Sequence, residues 1–231
     1  MKKIKFTKMV GSGNDFIVIS GRPSGKLSKL ARTLCDRKFA IGADGLLLLD
    51  KFRNADLIMR IFNAVGSDAE MCGNGARCAA FFHGRPKTTL LTAAGIIHSE
   101  VYGMRVKIQL TAPQQIKLDL PLKLSDRLLK VNFINTGVPH VVVFVSGIEG
   151  IDVKHLGRLI RNHVRFAPGG TNVNFVEEKG KDFIQIRTYE RGVEDETLAC
   201  GTGSTAAALI LALKNNSADL IKVKTQSGEI L

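Results

Sequence analysis

Two stretches of this 231-residue chain share one local pattern. "EMCGNGARCAA" at Glu70–Ala80 and "TLACGTGSTAAA" at Thr197–Ala208 both contain C-G-x-G-x-x-x-A-A. The copies begin at Cys72 and Cys200, one in each half of a chain with only four cysteines. A glycine after the cysteine and another two further on let backbone N–H groups approach a ligand closely. A helix opening there adds its unpaired N–H groups and positive dipole end, which suits a carboxylate. A thiol at such a helix end is acidified, from about 8.5 to roughly 3.5–7.5.

Two such units face to face fit a reaction that needs a base on one side of a carbon and an acid on the other. Inverting a stereocentre α to a carboxylate has that requirement. One thiolate removes the proton, the opposite thiol delivers another, and the roles swap with direction. The thiols then titrate as a pair. A positioned base contributes about 10²–10⁴-fold, too little alone for so weak an acid as an α-proton. The larger share falls to N–H donors preorganised around the carboxylate. No lysine stands in a pyridoxal-type context, so no cofactor is expected.

The other cysteines read differently. Cys35, on an apolar helix face, and Cys78, whose counterpart in the second copy is Ala206, are expected to be structural. Cys72 and Cys78 are spaced too widely for the usual zinc pattern, and no Cys-x-x-Cys or His pair completes a set, so no metal is expected. A Cys72–Cys200 disulfide is disfavoured in a reducing cytosol.

Several elements must position these turns. Strands are expected at Ile4–Met9 and Phe16–Ser20, around a Gly-Ser-Gly-Asn turn. Leu27, Leu30, Ala31, Leu34 and Cys35 form one helical face. Strands follow at Leu46–Leu49 and Leu57–Phe62, then a helix from the first Cys-Gly turn through Phe82. A closing pair is expected at Leu90–Ile97 and Val101–Leu110. Thr111–Asp126 reads as a linker. Strands resume at Val131–Asn135 and Val141–Val145, then a helix at about Val153–His163 and strands at Val173–Val176 and Phe183–Thr188. The second Cys-Gly turn opens a helix whose Ala206, Leu209, Ile210 and Leu213 share a face, and Leu220–Thr225 starts another strand. The order repeats, which implies a duplicated α+β fold with halves at 1–112 and 127–231. The second half is expected to lack its closing strands, as though cut short at Leu231.

Composition fits a soluble globular protein, with 45% hydrophobic and 23% charged residues. No apolar run approaches the roughly 20 residues that span a bilayer. The N-terminus begins with lysines but lacks the apolar stretch of a signal peptide, so the expected location is the cytoplasm. Net charge is +12, from 33 Lys and Arg against 21 Asp and Glu. The lysines are dispersed and no Trp and only two Tyr are present to stack bases, so nucleic acid is not the expected partner. An anionic small substrate fits the charge.

Six stretches together resemble the diaminopimelate epimerase family: "KMVGSGNDFIV" (Lys8–Val18), "IGADGLLLL" (Ile41–Leu49), "RIFNAVGSDAEMCGNGARC" (Arg60–Cys78), "NTGVPHVVVF" (Asn135–Phe144), "GTNVNFVE" (Gly170–Glu177) and "YERGVEDETLACGTGSTAA" (Tyr189–Ala207). The resemblance implies two pseudo-symmetric domains, each a curved, mostly antiparallel sheet around a central helix, and a homodimer. It implies a pyridoxal-independent interconversion of LL- and meso-diaminopimelate, on the route to lysine and peptidoglycan. Cys72 and Cys200 match the acid/base cysteines. Asn14, Asn63 and Asn172 match substrate-binding asparagines. Gly73 with Asn74, and Gly201 with Thr202, match the turns that hold the reacting carboxylate. Glu190 and Arg191 match an acidic–basic pair, and His140 a histidine beside the cysteines that moves or places a proton near pH 7.

These roles suit a substrate with two ammonium and two carboxylate groups. Arg191 can grip a distal carboxylate through two hydrogen bonds, and Glu190 can accept from the reacting ammonium. Asparagines donate and accept, although the commoner use of Asn is a turn or cap. His83, His98, His155 and His163 are expected to be structural. The chain departs from the family's pattern at Val65, where Asp is common, and at Gly45 and Val138, where some members carry Gln and Asn. Alternatives are a racemase for proline or hydroxyproline, or an inactive binding protein of the same fold. Retention of both cysteines argues against the second.

Overall fold

Four consecutive leucines, Leu46–Leu49, are all buried, so the strand carrying them is covered on both faces. In the computed structural model, which describes residues 3–125, 127–216 and 220–231, that cover is a helix on either side of a sheet. Met1 and Lys2 of the lysine-rich start, and Asp126 at the end of the expected linker, lie outside the described residues. The chain forms two compact units that divide between Thr111 and Ala112.

In the first unit β1 (Thr7–Gly11) and β2 (Asn14–Ser20) form a hairpin, followed by α1 (Leu27–Cys35). Next, β3 (Gly45–Phe52) joins β2 in parallel and β4 (Ala55–Asn63) returns antiparallel, with short β5 (Asp68–Ala69) beside β4. After α2 (Gly73–His83), β6 (Lys87–Thr92) lies parallel to β4, and β7 (Gly95–Tyr102) and β8 (Arg105–Gln109) complete the sheet antiparallel. Among the described residues this sheet has eight strands. Helix α2 touches strands from β1 to β8, so the sheet curves around it. On the opposite face α1 buries Ala31 and Cys35 against Ile17, Leu46, Leu48 and Phe62, with Leu27, Leu30 and Leu34 at the margin, as its spacing predicts.

The second unit begins with β9 (Gln114–Lys123), antiparallel to β10 (Leu128–Asn135), which forms a hairpin with β11 (Pro139–Phe144). After α3 (Val153–Arg161), β12 (Asn172–Gly180) joins β11 in parallel and β13 (Phe183–Glu190) returns, with β14 (Asp195–Thr197) beside it. After α4 (Gly201–Asn215), β15 (Lys222–Lys224) lies parallel to β13. Among the described residues the sheet has seven strands. One face packs on α3 through Val153, Ile160, Phe175 and Tyr189, the other on α4 through Val142, Ile186, Ala206 and Ile210. From β10 to β15 the order and pairing directions repeat those of β1 to β6, helices included. The fold is two mixed-sheet units of duplicated order.

Several details differ from the sequence expectation. The stretch 111–126 is not a bare linker: it contains the ten-residue β9. This strand lies at a sheet edge, where Pro121 is tolerated and Ile116 and Leu118 stay exposed, so it lacks the alternation of a half-buried strand. The closing pair of the first unit breaks elsewhere. Gly95 (φ 115°) opens β7 and Gly103 (φ 58°) turns β7 into β8, so neither Leu90–Ile97 nor Val101–Leu110 is one strand. On α4 the buried stripe runs through Ala206, Ala207, Ile210 and Leu211, whereas Leu213 is 50% exposed.

Candidate active site

Each Cys-Gly turn sits where a helix starts at one end of its sheet. Cys72 is the N-cap of α2, with extended backbone, and its Sγ accepts from the Gly75 N–H at 3.4 Å. Cys200 is the N-cap of α4 with the same backbone class, and its Sγ accepts from the Gly203 N–H at 3.4 Å. A cap side chain normally supplies oxygen to these orphan N–H groups; here sulfur takes that place in both units. Cys72 is half-buried and Cys200 buried. Packing is tight at the second glycine of each turn, more so in the second unit. A Cβ at Gly203 would meet Asn174 Oδ1 at 2.4 Å, and one at Gly75 would meet Leu47 Cδ2 at 3.1 Å. Cys35 and Cys78 are buried, and burial pushes both thiols up to about 11.

In the first unit the strand register brings site residues to one sheet end: Gly45 pairs with both Phe16 and Asn63, and Asn14 precedes them. Asn14 donates from Nδ2 to Asp44 Oδ2 (3.1 Å) and accepts at Oδ1 from Asn74 Nδ2 (2.5 Å). Arg77 then donates to Asn74 Oδ1 and to Ser12 Oγ, each at 2.6 Å. Arg37 bridges Asp15 and Asp44. Burial works to raise the Asp15 carboxyl, but hydrogen bonds from Arg37, Lys8 and the Asp44 N–H hold it well below the usual carboxylate range. A charged frame therefore fixes the amides of Asn14 and Asn74 beside the first turn. Asn63 donates to Ser67 Oγ at 3.0 Å and closes its own turn, which also displays the exposed Val65. Gly45 has a packing reason for lacking a side chain, since a Cβ there would meet the Phe62 carbonyl at 3.0 Å.

In the second unit Asn172 pairs in register with His140, and the next residue, Val173, pairs with Tyr189, which brings Glu190 and Arg191 to the same end. Asn172 is buried; its Nδ2 donates to Pro139 O (3.0 Å) and its Oδ1 accepts from the Arg191 N–H (2.9 Å). Glu190 Oε2 accepts from Thr197 Oγ1 at 3.0 Å. Thr202 is buried, with its Oγ1 3.0 Å from His140 Nε2 and 3.4 Å from Cys200 Sγ. His140 differs from the expectation of a group that titrates near pH 7. It is fully buried, and burial, reinforced by the charge of Arg191, pushes its pKa down to about 3. The ring is neutral at physiological pH.

A family model for diaminopimelate epimerase matches residues 6–116 and 132–231. The chain belongs to the diaminopimelate epimerase family. Relatives bearing the family's name include one from Aquifex aeolicus, 45% identical over 99% of this chain and 88% of its own length. Another, from a Hydrogenobaculum strain, is 44% identical over 97% of this chain and 89% of its own. Membership makes the protein an amino-acid epimerase, an isomerase. Among solved structures, a probable proline racemase from Agrobacterium radiobacter superposes with a TM-score of 0.75, at 20% identity, over 99% of this chain and 83% of its own. A phenazine biosynthesis protein of the PhzF family from Bacillus anthracis gives 0.69 at 17% identity, over 97% and 86%. At those identities the likeness is one of fold. Sequence reasoning missed the residues behind the family's turns: Ser12, Asp44 and Arg77 in the first unit, Asn174 and Thr188 in the second. The available signals were the i, i+3 spacing of Asn74 and Arg77 and the same-face spacing of Asn172 and Asn174.

Proposed function

We propose that the protein interconverts LL- and meso-2,6-diaminopimelate through a two-thiol proton exchange that needs no cofactor. The supporting observation is the equivalence of the two cysteines: each is the N-cap of the central helix of its unit and each sulfur accepts a glycine N–H at 3.4 Å. An N–H aimed at sulfur favours its anionic form.

In this mechanism one thiolate takes the α-proton and the C–H electron pair moves into the α-carboxylate. The opposite thiol gives its proton to the other face of the carbon, and the pair passes back to form the new C–H bond. The thiolate and thiol have then exchanged roles, ready for the reverse direction. The N–H groups of the Gly73–Asn74 and Gly201–Thr202 turns stabilise the developing charge on the carboxylate. Glu190 accepts from the reacting ammonium. Arg191 clamps the distal carboxylate, and Asn172 serves it by holding the Arg191 backbone. Asn14 and Asn63 contact the zwitterion through the donor and acceptor capacity that their protein partners leave unused. His140 acts as a neutral group, not as a titrating base. The cytoplasm is the setting that keeps both thiols reduced; the assembled form is a homodimer.

The test is incubation with LL-diaminopimelate in deuterated water. Deuterium should enter at one α-carbon and the product should be the meso isomer. Cys72→Ala and Cys200→Ala should each abolish the exchange. Normal turnover by Cys200→Ala, or stoichiometric pyridoxal absorbance in the purified protein, would overturn the proposal.

A further inference from the structure

Asn174, on β12, is fully buried and hydrogen-bonds three groups. Its Nδ2 lies 2.9 Å from Val141 O and 3.1 Å from His140 Nδ1, its Oδ1 lies 3.1 Å from Thr188 Oγ1, and it fills the space that a Cβ on Gly203 would need. A backbone carbonyl only accepts, so the atom facing Val141 O must be the amide nitrogen. The second hydrogen of that nitrogen then points at His140 Nδ1, which must accept. A neutral imidazole with Nδ1 accepting carries its proton on Nε2. Nε2–H therefore donates to Thr202 Oγ1 at 3.0 Å, and the Thr202 hydroxyl hydrogen is released to donate to Cys200 Sγ at 3.4 Å.

The geometry points to Asn174 as a positioning residue for Cys200: it reads the Val141 carbonyl, sets the tautomer of His140, and so turns the Thr202 hydroxyl into a donor to the sulfur. This rests on the reading of Cys200 as an acid/base group. With Gly203 N–H, the sulfur receives two donors from its own unit, both favouring the thiolate. The pattern differs from that of the first unit, where charged Arg77 steers the turn through Asn74. The polarity of the whole chain is set by one peptide carbonyl and needs no titrating group. Arg191, the cation that acts on His140, opposes a second proton on the ring.

The experiment is nitrogen-15 NMR of histidine-labelled protein together with steady-state kinetics. In the unmodified protein His140 should show an unprotonated Nδ1 and a protonated Nε2, unchanged from pH 5 to 9. Asn174→Asp keeps the size but removes the donor, so the ring should move its proton to Nδ1 and Nε2 should accept from Thr202. The kcat should then fall roughly 10–100-fold, the scale of a hydrogen bond to a charged group, with KM little changed. A ring protonated at Nδ1 in the unmodified protein would overturn the assignment even if no Asn174→Asp protein folds. So would an Asn174→Asp protein that switches tautomer and keeps full kcat. Absence of epimerisation in every protein, with the tautomer as stated, would instead count against the two-thiol reading.

Discussion

At the scale of single residues, His140 carries the sharpest consequence of burial. Its pKa is pushed from the ordinary 6.5 to about 3, so between those values an unfolded chain binds a proton that the folded chain refuses. Stability from this group is complete above pH 6.5 and is lost as pH falls toward 3. By pH 5 the loss is about 2 kcal/mol. Urea unfolding at pH 7 and pH 5 checks this, with His140→Gln expected to lose that much less on acidification; an equal loss in both proteins would contradict it. The residue itself was legible from its place after Gly137-Val138-Pro139, but its state was not. Sequence spacing cannot report that β11 is covered on both faces, or that Asn174 and Thr202 occupy both ring nitrogens. Cys72 and Cys200 were legible because the pattern around them contains its own explanation: glycines for backbone approach, then alanines for a helix pressed against a sheet. Arg77 stood inside the motif at helical spacing from Asn74, yet only the fold reveals that Ser12 also converges on it.

At the scale of elements, each central helix is positioned by what its first turn lacks. Gly203→Ala would drive a methyl group to 2.4 Å from Asn174 Oδ1, a buried amide already committed to three partners. Such overpacking costs typically 1–3 kcal/mol, so Gly203→Ala should unfold at markedly lower urea concentration. Gly75→Ala meets the end of a leucine side chain at 3.1 Å and should cost less. If the two substitutions destabilise equally, the helix starts are not held as described. Helices were the readable elements, because α1 and α3 combine an apolar face with a polar one. Strand ends were less so. Ala93 and Ala94 before Gly95 carry no strong turn signature, and β9 hides behind an internal proline and exposed apolar residues at its edge. The stripe on α4 was misplaced because the helix is apolar nearly all round, so periodicity could not choose between Leu211 and Leu213.

At the scale of the whole molecule, each unit has its own buried centre, and the slowest-exchanging amides should lie there. In hydrogen exchange followed by mass spectrometry, the peptides covering β3 and β12 should be the most protected of their respective units. Those covering β9 and the two-residue β5 should exchange early. Protection of β9 equal to that of β12 would mean the edge is covered by something not described above. The repeated order was legible from sequence because both copies keep their cysteine, glycines and alanines. The net charge of +12 was legible as a number only; its ion pairs, such as Arg187 with Glu196 and Lys154 with Asp195, depend on strand pairings that residue counts do not contain.

The strand-for-strand correspondence of β1–β6 with β10–β15 also speaks of ancestry. A half-length gene that was copied and fused begins with identical twins, each with the same turn, thiol and helix. Every present difference, Asn74 against Thr202 or Cys78 against Ala206, was therefore acquired afterwards.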